Sequence, residues 1–325
     1  MAEKPKIAIY WCASCGGCEE AVVDLAEDIL GVVEKVDIVF WPCAMDFKRK
    51  DVEAMADGSI TATLLNGAIR SSEQEEMARL LRRKSRYMIA YGACSHMGGI
   101  PSLANQFTRE HLLKFYYEDG PSVVNEQKVR PQTASRQNGH ELELPEIRNV
   151  VRSLDQVVEV DYYVPGCPPT PQITKAAIGA LLEGNLPPKG SVLAPDVALC
   201  SECPKRDSKP TDLSFIEFKR PHLTEIDPDK CLLAQGIPCL GPGTRAGCGA
   251  LCPSANMPCT GCFGPTSRVK DQGAKLLSSL CANVAPKEEE AIDKALRGIP
   301  DPVGTFYRYG LARSLLRRKV DLPLT

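Results

Sequence analysis

The first half of the chain alternates short apolar runs with amphipathic stretches. Five apolar runs predict strands at residues 6–10, 35–40, 61–66, 87–91 and 157–164. Between them, apolar positions recur at helical spacing, most clearly in residues 71–83 and 172–182. Strands that alternate with helices predict an α/β fold with a doubly wound parallel sheet and right-handed crossovers.

Sequence signals mark the ends of the helix predicted at residues 71–83, and an apolar pattern predicts one further helix. In residues 71–83, Ser72 is the predicted N-cap, Glu75 is its capping partner, and arginines occupy the last turn. A helix is also predicted after the first strand, because apolar residues recur there at Ala21, Val22, Leu25, Ile29 and Leu30.

The second half of the chain differs in composition from the first. Residues 194–265 are rich in Pro and Gly and hold eight cysteines, with little periodic hydrophobicity. Packing of apolar side chains is not expected to order such a segment, whereas bound metal is. The tail returns to helical patterns at 287–296 and at 303–318, the latter with a basic end. We therefore predict two domains, residues 1–190 and 191–325.

Composition excludes several classes of function. The 325 residues include 25% charged residues and carry a formal net charge of -2, so the chain lacks the general basic field that binds nucleic acid. No run approaches the roughly 18 apolar residues that span a bilayer, and the N-terminus shows no secretory signal. We expect a cytoplasmic protein with no nucleic-acid partner and no membrane insertion.

Fifteen cysteines indicate metal binding, because disulfides do not persist in the cytoplasm. Six follow the predicted strands: Cys12, Cys15 and Cys18 after the first, Cys43 after the second, Cys94 after the fourth and Cys167 after the last. Carboxyl ends of parallel strands meet at one edge of a sheet, where such sheets bind ligands. These thiols are therefore expected to converge. Glycines around Cys94 let the backbone approach a bulky group, and prolines bracket Cys167.

The eight cysteines of the second half have the spacing of two complete four-cysteine sites. They are Cys200-x-x-Cys203, Cys231, Cys239, Cys248-x-x-x-Cys252 and Cys259-x-x-Cys262. Zinc and four-iron clusters both accept four cysteines. The convergence of distant thiols in the first half favours iron–sulfur clusters over local zinc knuckles.

Three ordered motifs resemble those of a known family, the small, electron-transferring subunit of nickel–iron hydrogenases. They are Cys15-Gly16-Gly17-Cys18-Glu19, Gly92-Ala93-Cys94 with Gly98-Gly99-Ile100-Pro101, and Pro165-Gly166-Cys167-Pro168-Pro169. The resemblance covers most of the chain. It implies a flavodoxin-like domain in residues 1–190 and a loop-rich cluster domain with C-terminal helices in residues 191–325.

The resemblance also implies three 4Fe-4S clusters. The proximal cluster, facing the large subunit that carries nickel and iron, would be held by Cys15, Cys18, Cys94 and Cys167. The distal cluster would be held by Cys200, Cys203, Cys231 and Cys239. The medial cluster would be held by Cys248, Cys252, Cys259 and Cys262.

Departures from the periplasmic members of this family indicate a branch. Those members have a histidine where Cys200 stands, and they have only three cysteines, hence a 3Fe-4S cluster, at the medial site. They also carry a twin-arginine leader, which we do not expect for this chain. The chain most resembles the cytoplasmic methyl-viologen-reducing hydrogenase associated with heterodisulfide reductase. The deazaflavin-reducing and NADP-reducing enzymes share these traits and stay open as alternatives.

The function that the resemblance implies is electron conduction. Electrons from dihydrogen, split in the large subunit, would reach an iron–sulfur or flavin acceptor subunit, such as the heterodisulfide reductase complex, near Cys200 and Cys239. No residue of this chain is expected to be catalytic, and the nickel ligands are expected elsewhere. Two rivals are a subunit of a quinone-reducing respiratory complex, which does not need the eight-cysteine extension, and a multi-zinc scaffolding protein.

Three cysteines remain unassigned: Cys12, Cys43 and Cys281. We interpret them as buried or idle thiols. Cys12 stays open as a ligand in place of Cys94 or Cys167, because Cys12-x-x-Cys15-x-x-Cys18 also begins a bacterial ferredoxin motif.

Other polar features allow two interpretations each. Glu19 is either a proton-handling group at the subunit boundary or a first-turn carboxylate that the helix dipole favours. Residues 102–155 form a predicted insertion that packs on a partner. The histidines are interpreted as polar loop or surface residues: His96, His111, His140 and His222.

Overall fold

The computed structural model describes residues 3–315, which contain strands and helices in alternation. The strands are β1 (Lys6–Trp11), β2 (Asp37–Phe40), β3 (Ile60–Asn66), β4 (Ile69–Ser71), β5 (Ser85–Tyr91), β6 (Ala134–Gln137), β7 (His140–Glu143), β8 (Ile147–Arg152), β9 (Tyr162–Val164) and β10 (Ser191–Val192). The helices are α1 (Gly17–Val23), α2 (Asp28–Val33), α3 (Arg49–Ala54), α4 (Ser72–Lys84), α5 (Ala93–Met97), α6 (Arg109–Lys114), α7 (Pro171–Leu182), α8 (Leu251–Ser254), α9 (Gln272–Cys281), α10 (Glu289–Leu296) and α11 (Pro302–Phe306).

Six strands form a parallel sheet in the order β10-β9-β5-β3-β1-β2. This is the flavodoxin-like order with a short strand added at one edge, and the order reverses between β1 and β3. The α/β fold predicted from the sequence is therefore confirmed. The cysteine-bearing loop after β1 begins at this reversal, where such sheets bind ligands.

Apolar side chains cover both faces of the sheet. Strand β1 alternates between them, because Ile7 and Ile9 join the core under α1 and α7, whereas Ala8 joins the core under α4. A strand buried on both faces reads as a continuous apolar run, which is why the pattern predicts these central strands well. Phe263, beside the last cysteine pair, packs into the first of these cores. The cysteine-rich region is therefore attached to the sheet.

Several predicted boundaries are wrong in detail. The second strand begins at Asp37, and the strand predicted at 157–164 is limited to β9. The helix predicted after the first loop is two helices, α1 and α2, because the chain turns at Ala26 with φ at 51°. Leu30, one of the apolar residues of the predicted helical pattern, is exposed. Ser71, rather than Ser72, caps α4, and its partner is Gln74.

The cysteine-rich half contains a small apolar core of its own, so the expectation that apolar packing does not order it is too strong. Its buried members are Phe215, Phe218, Leu233, Leu240, Leu276, Leu280 and Phe306. They come from irregular segments as well as from α9 and α11, so no period marks them in the sequence.

The two tail helices have different outcomes. The helix predicted at 287–296 corresponds to α10. The helix predicted at 303–318 ends at Phe306 and is followed by a 3₁₀ turn at Leu311–Arg313. The basic end of that prediction lies outside the described residues.

The predicted insertion has secondary structure. It contains α6, the exposed hairpin β6–β7, and β8, which pairs antiparallel with β4. Whether it packs on a partner stays a prediction. Within residues 3–315, the helices are too short or too polar to cross a bilayer.

Candidate metal centres

Four cysteines meet at the carboxyl edge of the sheet, and we call them the first cysteine group. Cys15 lies in the loop after β1, Cys18 on α1, Cys94 on α5, and Cys167 in the turn after β9. The thiols of Cys94, Cys167 and Cys15 all act electrostatically on Cys18. The structure therefore brings together the four residues that sequence analysis assigned to one site.

Glycines allow the backbone to approach these sulfurs closely. A Cβ on Gly92 would lie 2.4 Å from the Cys18 Sγ, and a Cβ on Gly99 would lie 2.4 Å from the Cys94 Sγ. Such contacts are shorter than van der Waals distance, so only glycine is tolerated there. The backbone N–H of Gly17 also points at the Cys15 Sγ, at 3.5 Å.

The electrostatics of the first cysteine group disfavour bare thiolates. Burial, together with the neighbouring thiols, raises the pKa of Cys18, and the same causes raise the pKa of Cys94 to about 12. Burial also raises the pKa of Cys167. Four thiolates can coexist here only if a cation compensates their charge.

The second cysteine group consists of Cys200, Cys203, Cys231 and Cys239. These four residues line one small cavity whose walls are otherwise mainly apolar. Burial raises the pKa of Cys239 to about 11, although hydrogen bonds from the backbone of Gly241 and Cys259 oppose the rise. These backbone donors favour a thiolate in the place where a cluster sulfur ligand is needed.

The third cysteine group consists of Cys248, Cys252, Cys259 and Cys262. Burial raises the pKa of Cys262 to about 12, and the thiols of Cys248 and Cys252 contribute to the rise. Backbone groups of Ala250 and Leu251 hydrogen-bond to the Cys248 sulfur, and backbone of Gly261 bonds to that of Cys259.

The third cysteine group lies between the other two. On one side, the Cys262 sulfur is hydrogen-bonded to the backbone of Cys167, a member of the first cysteine group. On the other side, the backbone N–H of Cys259 donates to the Cys239 Sγ of the second cysteine group at 3.3 Å. The three groups therefore form a row, in the order first, third, second.

These arrangements fit iron–sulfur clusters in their chemistry. Each group offers four thiols, backbone N–H donors directed at sulfur, and partial burial of its thiols, which are features by which proteins hold and tune such clusters. Among residues 3–315, no three His, Cys, Asp or Glu side chains are gathered closely enough to ligate one metal ion.

The three remaining cysteines are not members of these groups. Cys12 is buried in the core on the α4 face of the sheet, opposite the face that holds Cys18, and Glu73 is the charge that acts on it. Cys281 is exposed at the end of α9. Cys43 is exposed and hydrogen-bonds with Glu19. The structure therefore groups Cys94 and Cys167, not Cys12, with Cys15 and Cys18.

Glu19 is a buried carboxylate next to the first cysteine group. It accepts hydrogen bonds from the indole of Trp41 and from the Asn66 side chain, the latter at 2.5 Å. Burial raises its pKa, and these bonds only partly oppose the rise. Sequence reasoning missed Trp41 and Asn66. The position of Asn66 at the carboxyl end of β3 was the available signal, because ligand-facing polar residues concentrate there.

For one of the four histidines, the interpretation as a loop or surface residue is wrong. His96 is buried on α5 and packs on the ring of Tyr163. Burial, followed by the charges of Arg313 and Arg245, lowers its pKa to about 3, so it is neutral. The other three histidines are exposed.

Two comparisons define the class of protein. The profile of the family described as the 20 kDa subunit of NADH ubiquinone oxidoreductase matches residues 15–181. A [NiFeSe] hydrogenase structure from Desulfovibrio vulgaris Hildenborough superposes with a TM-score of 0.51 over 82% of this chain and 95% of that chain, at 17% identity, which shows a shared fold. The molecule has the fold and family signature of a subunit of an oxidoreductase complex.

Curated relatives narrow this class. The chain is 40% identical to the iron–sulfur subunit of the F420-non-reducing hydrogenase of Archaeoglobus profundus, over 97% of this chain and 98% of the relative. It is 35% identical to the corresponding subunit of the F420-non-reducing hydrogenase of Methanothermobacter thermautotrophicus, over 99% of both. The chain belongs to this family of F420-non-reducing hydrogenase subunits.

Proposed function

We propose that the chain is the electron-transferring small subunit of a cytoplasmic nickel–iron hydrogenase. It conducts electrons from dihydrogen oxidation in a large subunit to an acceptor subunit. The observation that carries this proposal is the row of three four-cysteine groups, linked by the Cys262–Cys167 and Cys259–Cys239 contacts. A row of one-electron sites is what long-range electron transfer requires, and the relatives that match over nearly the whole chain are hydrogenase subunits.

Each cysteine group would hold one 4Fe-4S cluster in this proposal, and the cluster would supply one-electron redox chemistry there. The first cysteine group belongs to a domain of residues 1–190. The second and third groups belong to a domain of residues 191–325. By position in the row, the first group is proximal, the third medial and the second distal.

The residues of this chain supply the thiolates, fix their spacing and partly shield them from water. Gly92 and Gly99 keep the backbone close to sulfur, and backbone N–H groups stabilise the charge that the thiolates carry. None of these residues acts as a chemical catalyst. The nickel–iron site belongs to the large subunit, since every complete cysteine set of this chain is used for the three clusters.

Exposed apolar side chains support a large-subunit interface at the first cysteine group. Cys15 is exposed, and Trp11, whose indole packs over Gly16, is 42% exposed. Ile100, whose backbone contacts the Cys94 sulfur, is 49% exposed. At the other end of the row, the acceptor subunit docks near Cys200 and Cys239. It is an iron–sulfur or flavin protein, with the heterodisulfide reductase complex as the specific candidate.

The rival functions fit these observations less well. A quinone-reducing subunit is related through residues 15–181 only, whereas the hydrogenase relatives also match the cysteine-rich region. The names of those relatives exclude reduction of F420, a deazaflavin, for them. This favours the methyl-viologen-reducing type over the deazaflavin-reducing type.

The proposal is tested by iron and acid-labile sulfide per chain in anaerobically purified protein, with visible spectra before and after dithionite. Three clusters of four give about twelve irons and a brown colour that dithionite bleaches. About four irons per chain would correspond to only one cluster, so the cysteines of the second half would hold something else. Zinc without iron would overturn the proposal in favour of the scaffolding class.

A further inference from the structure

The loop at residues 200–205 carries two charged side chains, three residues apart, that face different cysteine groups. Glu202 turns toward the third cysteine group. Its carboxylate accepts the backbone N–H of Gly247 at 2.9 Å and that of Ala250 at 3.3 Å, which flank Cys248. Burial raises the pKa of the Cys248 thiol, and the negative charge of Glu202 adds to the rise. The two backbone hydrogen bonds therefore hold the carboxylate near the Cys248 segment of the third cysteine group.

Lys205 turns the other way, into the second cysteine group. It is only 6% exposed and lines the same cavity as the four cysteines of that group. Its ammonium donates to the Pro228 carbonyl and, at 3.2 Å, to the Asn256 side chain. Within the described residues, these two contacts hold a buried cation beside the thiols.

Other nearby charges do not cancel this arrangement. Lys209 adds a second positive charge close to Cys200, where it opposes the rise in the pKa of that thiol caused by burial. Asp227 lies near Lys205, but it is more exposed and pairs with Lys230 at 2.9 Å.

Fixed charges shift reduction potentials in a predictable direction. A carboxylate beside a cluster opposes the arrival of an electron and lowers the potential, whereas an ammonium group favours the arrival and raises the potential. Both effects are larger for partly buried charges, because solvent and salt screen them less.

We propose that Glu202 and Lys205 bias electron transfer along the row, by lowering the potential at the third cysteine group and raising it at the second. This inference rests on the proposed function. In the step it concerns, one electron leaves the cluster at the third group, which is oxidised, and enters the cluster at the second group, which is reduced. No bond or proton changes place.

The test is a potentiometric titration of the hydrogenase complex followed by electron paramagnetic resonance. Glu202→Gln keeps an oxygen acceptor for the two backbone donors and removes the charge. We expect it to raise one midpoint potential, so that the ratio of reduced to oxidised cluster at a fixed potential rises by up to tenfold, or about 59 mV for a one-electron couple. Lys205→Gln should lower a different midpoint, and the double variant should shift both.

Matched controls are available on the opposite edge of the sheet. Glu34 and Lys35 are exposed and precede β2, so Glu34→Gln and Lys35→Gln should leave all midpoints unchanged. Lys209→Gln provides a second test, because it should also lower the midpoint potential of the cluster at the second cysteine group. This variant keeps the inference testable if Lys205→Gln does not assemble.

The outcomes separate this inference from the proposed function. Twelve irons per chain with midpoints that do not move in Glu202→Gln and Lys209→Gln would overturn the inference alone. The inference would also be overturned if Glu202→Gln and Lys209→Gln shifted the same midpoint potential, because the two charges would then act on one cluster. Absence of iron in the unaltered chain would overturn the proposed function and this inference with it.

Discussion

Gly92 determines how closely the backbone approaches the first cysteine group. Its φ is 87°, a region that L side chains rarely adopt, and an added Cβ would lie 2.4 Å from the Cys18 Sγ. The backbone of Gly92 is held in place, because its N–H donates to the Val164 carbonyl and Ala93 N–H donates to that of Gly166. The residue therefore cannot retreat from the sulfur without breaking the junction of β5 with β9.

Under the proposal of three clusters, Gly92→Ala should remove the cluster of the first cysteine group and leave the other two. The methyl group displaces the Cys18 sulfur, so iron per chain should fall by about four, one cluster. The measurement is iron and sulfide per chain, with spectra of the reduced protein.

Gly190→Ala provides a matched control for backbone strain. Gly190 has nearly the same φ, 86°, but an added Cβ meets nothing within 4 Å. This variant should cost about 1–2 kcal/mol of stability from strain and keep its full iron content. Equal iron loss in both variants would mean that strain, and not the sulfur contact, is responsible.

At the scale of elements, Asp161 joins the outer strands of the sheet to α4. It lies just before β9, and its side chain is 1% exposed. Its carboxylate accepts the Met88 N–H of β5 at 2.8 Å and pairs with Arg82 of α4 at 2.5 Å and with Lys189 at 2.6 Å. Burial alone would raise the pKa of Asp161, but these partners outweigh burial and the pKa lies below its usual value.

Asp161→Asn should destabilise the sheet domain by about 3 kcal/mol, because it leaves Arg82 with an uncompensated, partly buried charge. The measurement is the midpoint of anaerobic thermal unfolding. A carboxyl with a lowered pKa stabilises the fold above its unfolded pKa of about 3.9, and this stabilisation is lost only as the pH falls through its folded pKa. The deficit should therefore be constant from about pH 6 to about pH 9.

Glu159→Gln, at an exposed neighbouring position, should leave the midpoint nearly unchanged. A deficit for Asp161→Asn that disappears toward neutral pH would contradict the role assigned to the ionised carboxylate.

Elements could be predicted from the sequence where burial repeats along the chain. The central strands and α7 have such patterns, and parallel order then brings Cys18, Cys94 and Cys167 together at one edge. The break at Ala26 and the end of α11 at Phe306 depend on local contacts that leave no periodic pattern in the sequence. The choice of Ser71 over Ser72 as N-cap was not decidable either, since both residues are serines.

Charged residues at the sites were harder to predict than cysteines. Glu202 and Lys205 sit in a loop whose sequence gives no direction to either side chain, and their opposite orientation depends on Gly247 and on Pro228, far away in the chain. The number and spacing of the cysteines can be taken from the sequence alone, whereas the residues that surround each sulfur are known only from the tertiary structure.

At the scale of the whole molecule, the three cysteine groups depend on different amounts of apolar packing. The first group rests on the large sheet core, which Phe263 extends into the cysteine-rich half. The loops that carry Cys203 and Cys248 pack on a much smaller group of apolar residues, whose buried members are Leu199, Ala250 and Cys259, and only Cys248 of these two cysteines also contacts the sheet core. Such a small apolar group stabilises a loop poorly, so under the proposed function the bound clusters would supply much of the order there.

Removal of iron with a chelator should therefore loosen the cysteine-rich loops before the sheet. We expect amide hydrogen exchange, measured by mass spectrometry on the complete chain, to become at least about tenfold faster in residues 199–203 and 248–262. Strands β3 and β5 should keep their protection. Helix α9, which packs in the separate apolar core of the second half, serves as the internal control and should change little. If the loops kept their protection without iron, apolar packing alone would order them, and the clusters would not be needed to stabilise this part of the fold.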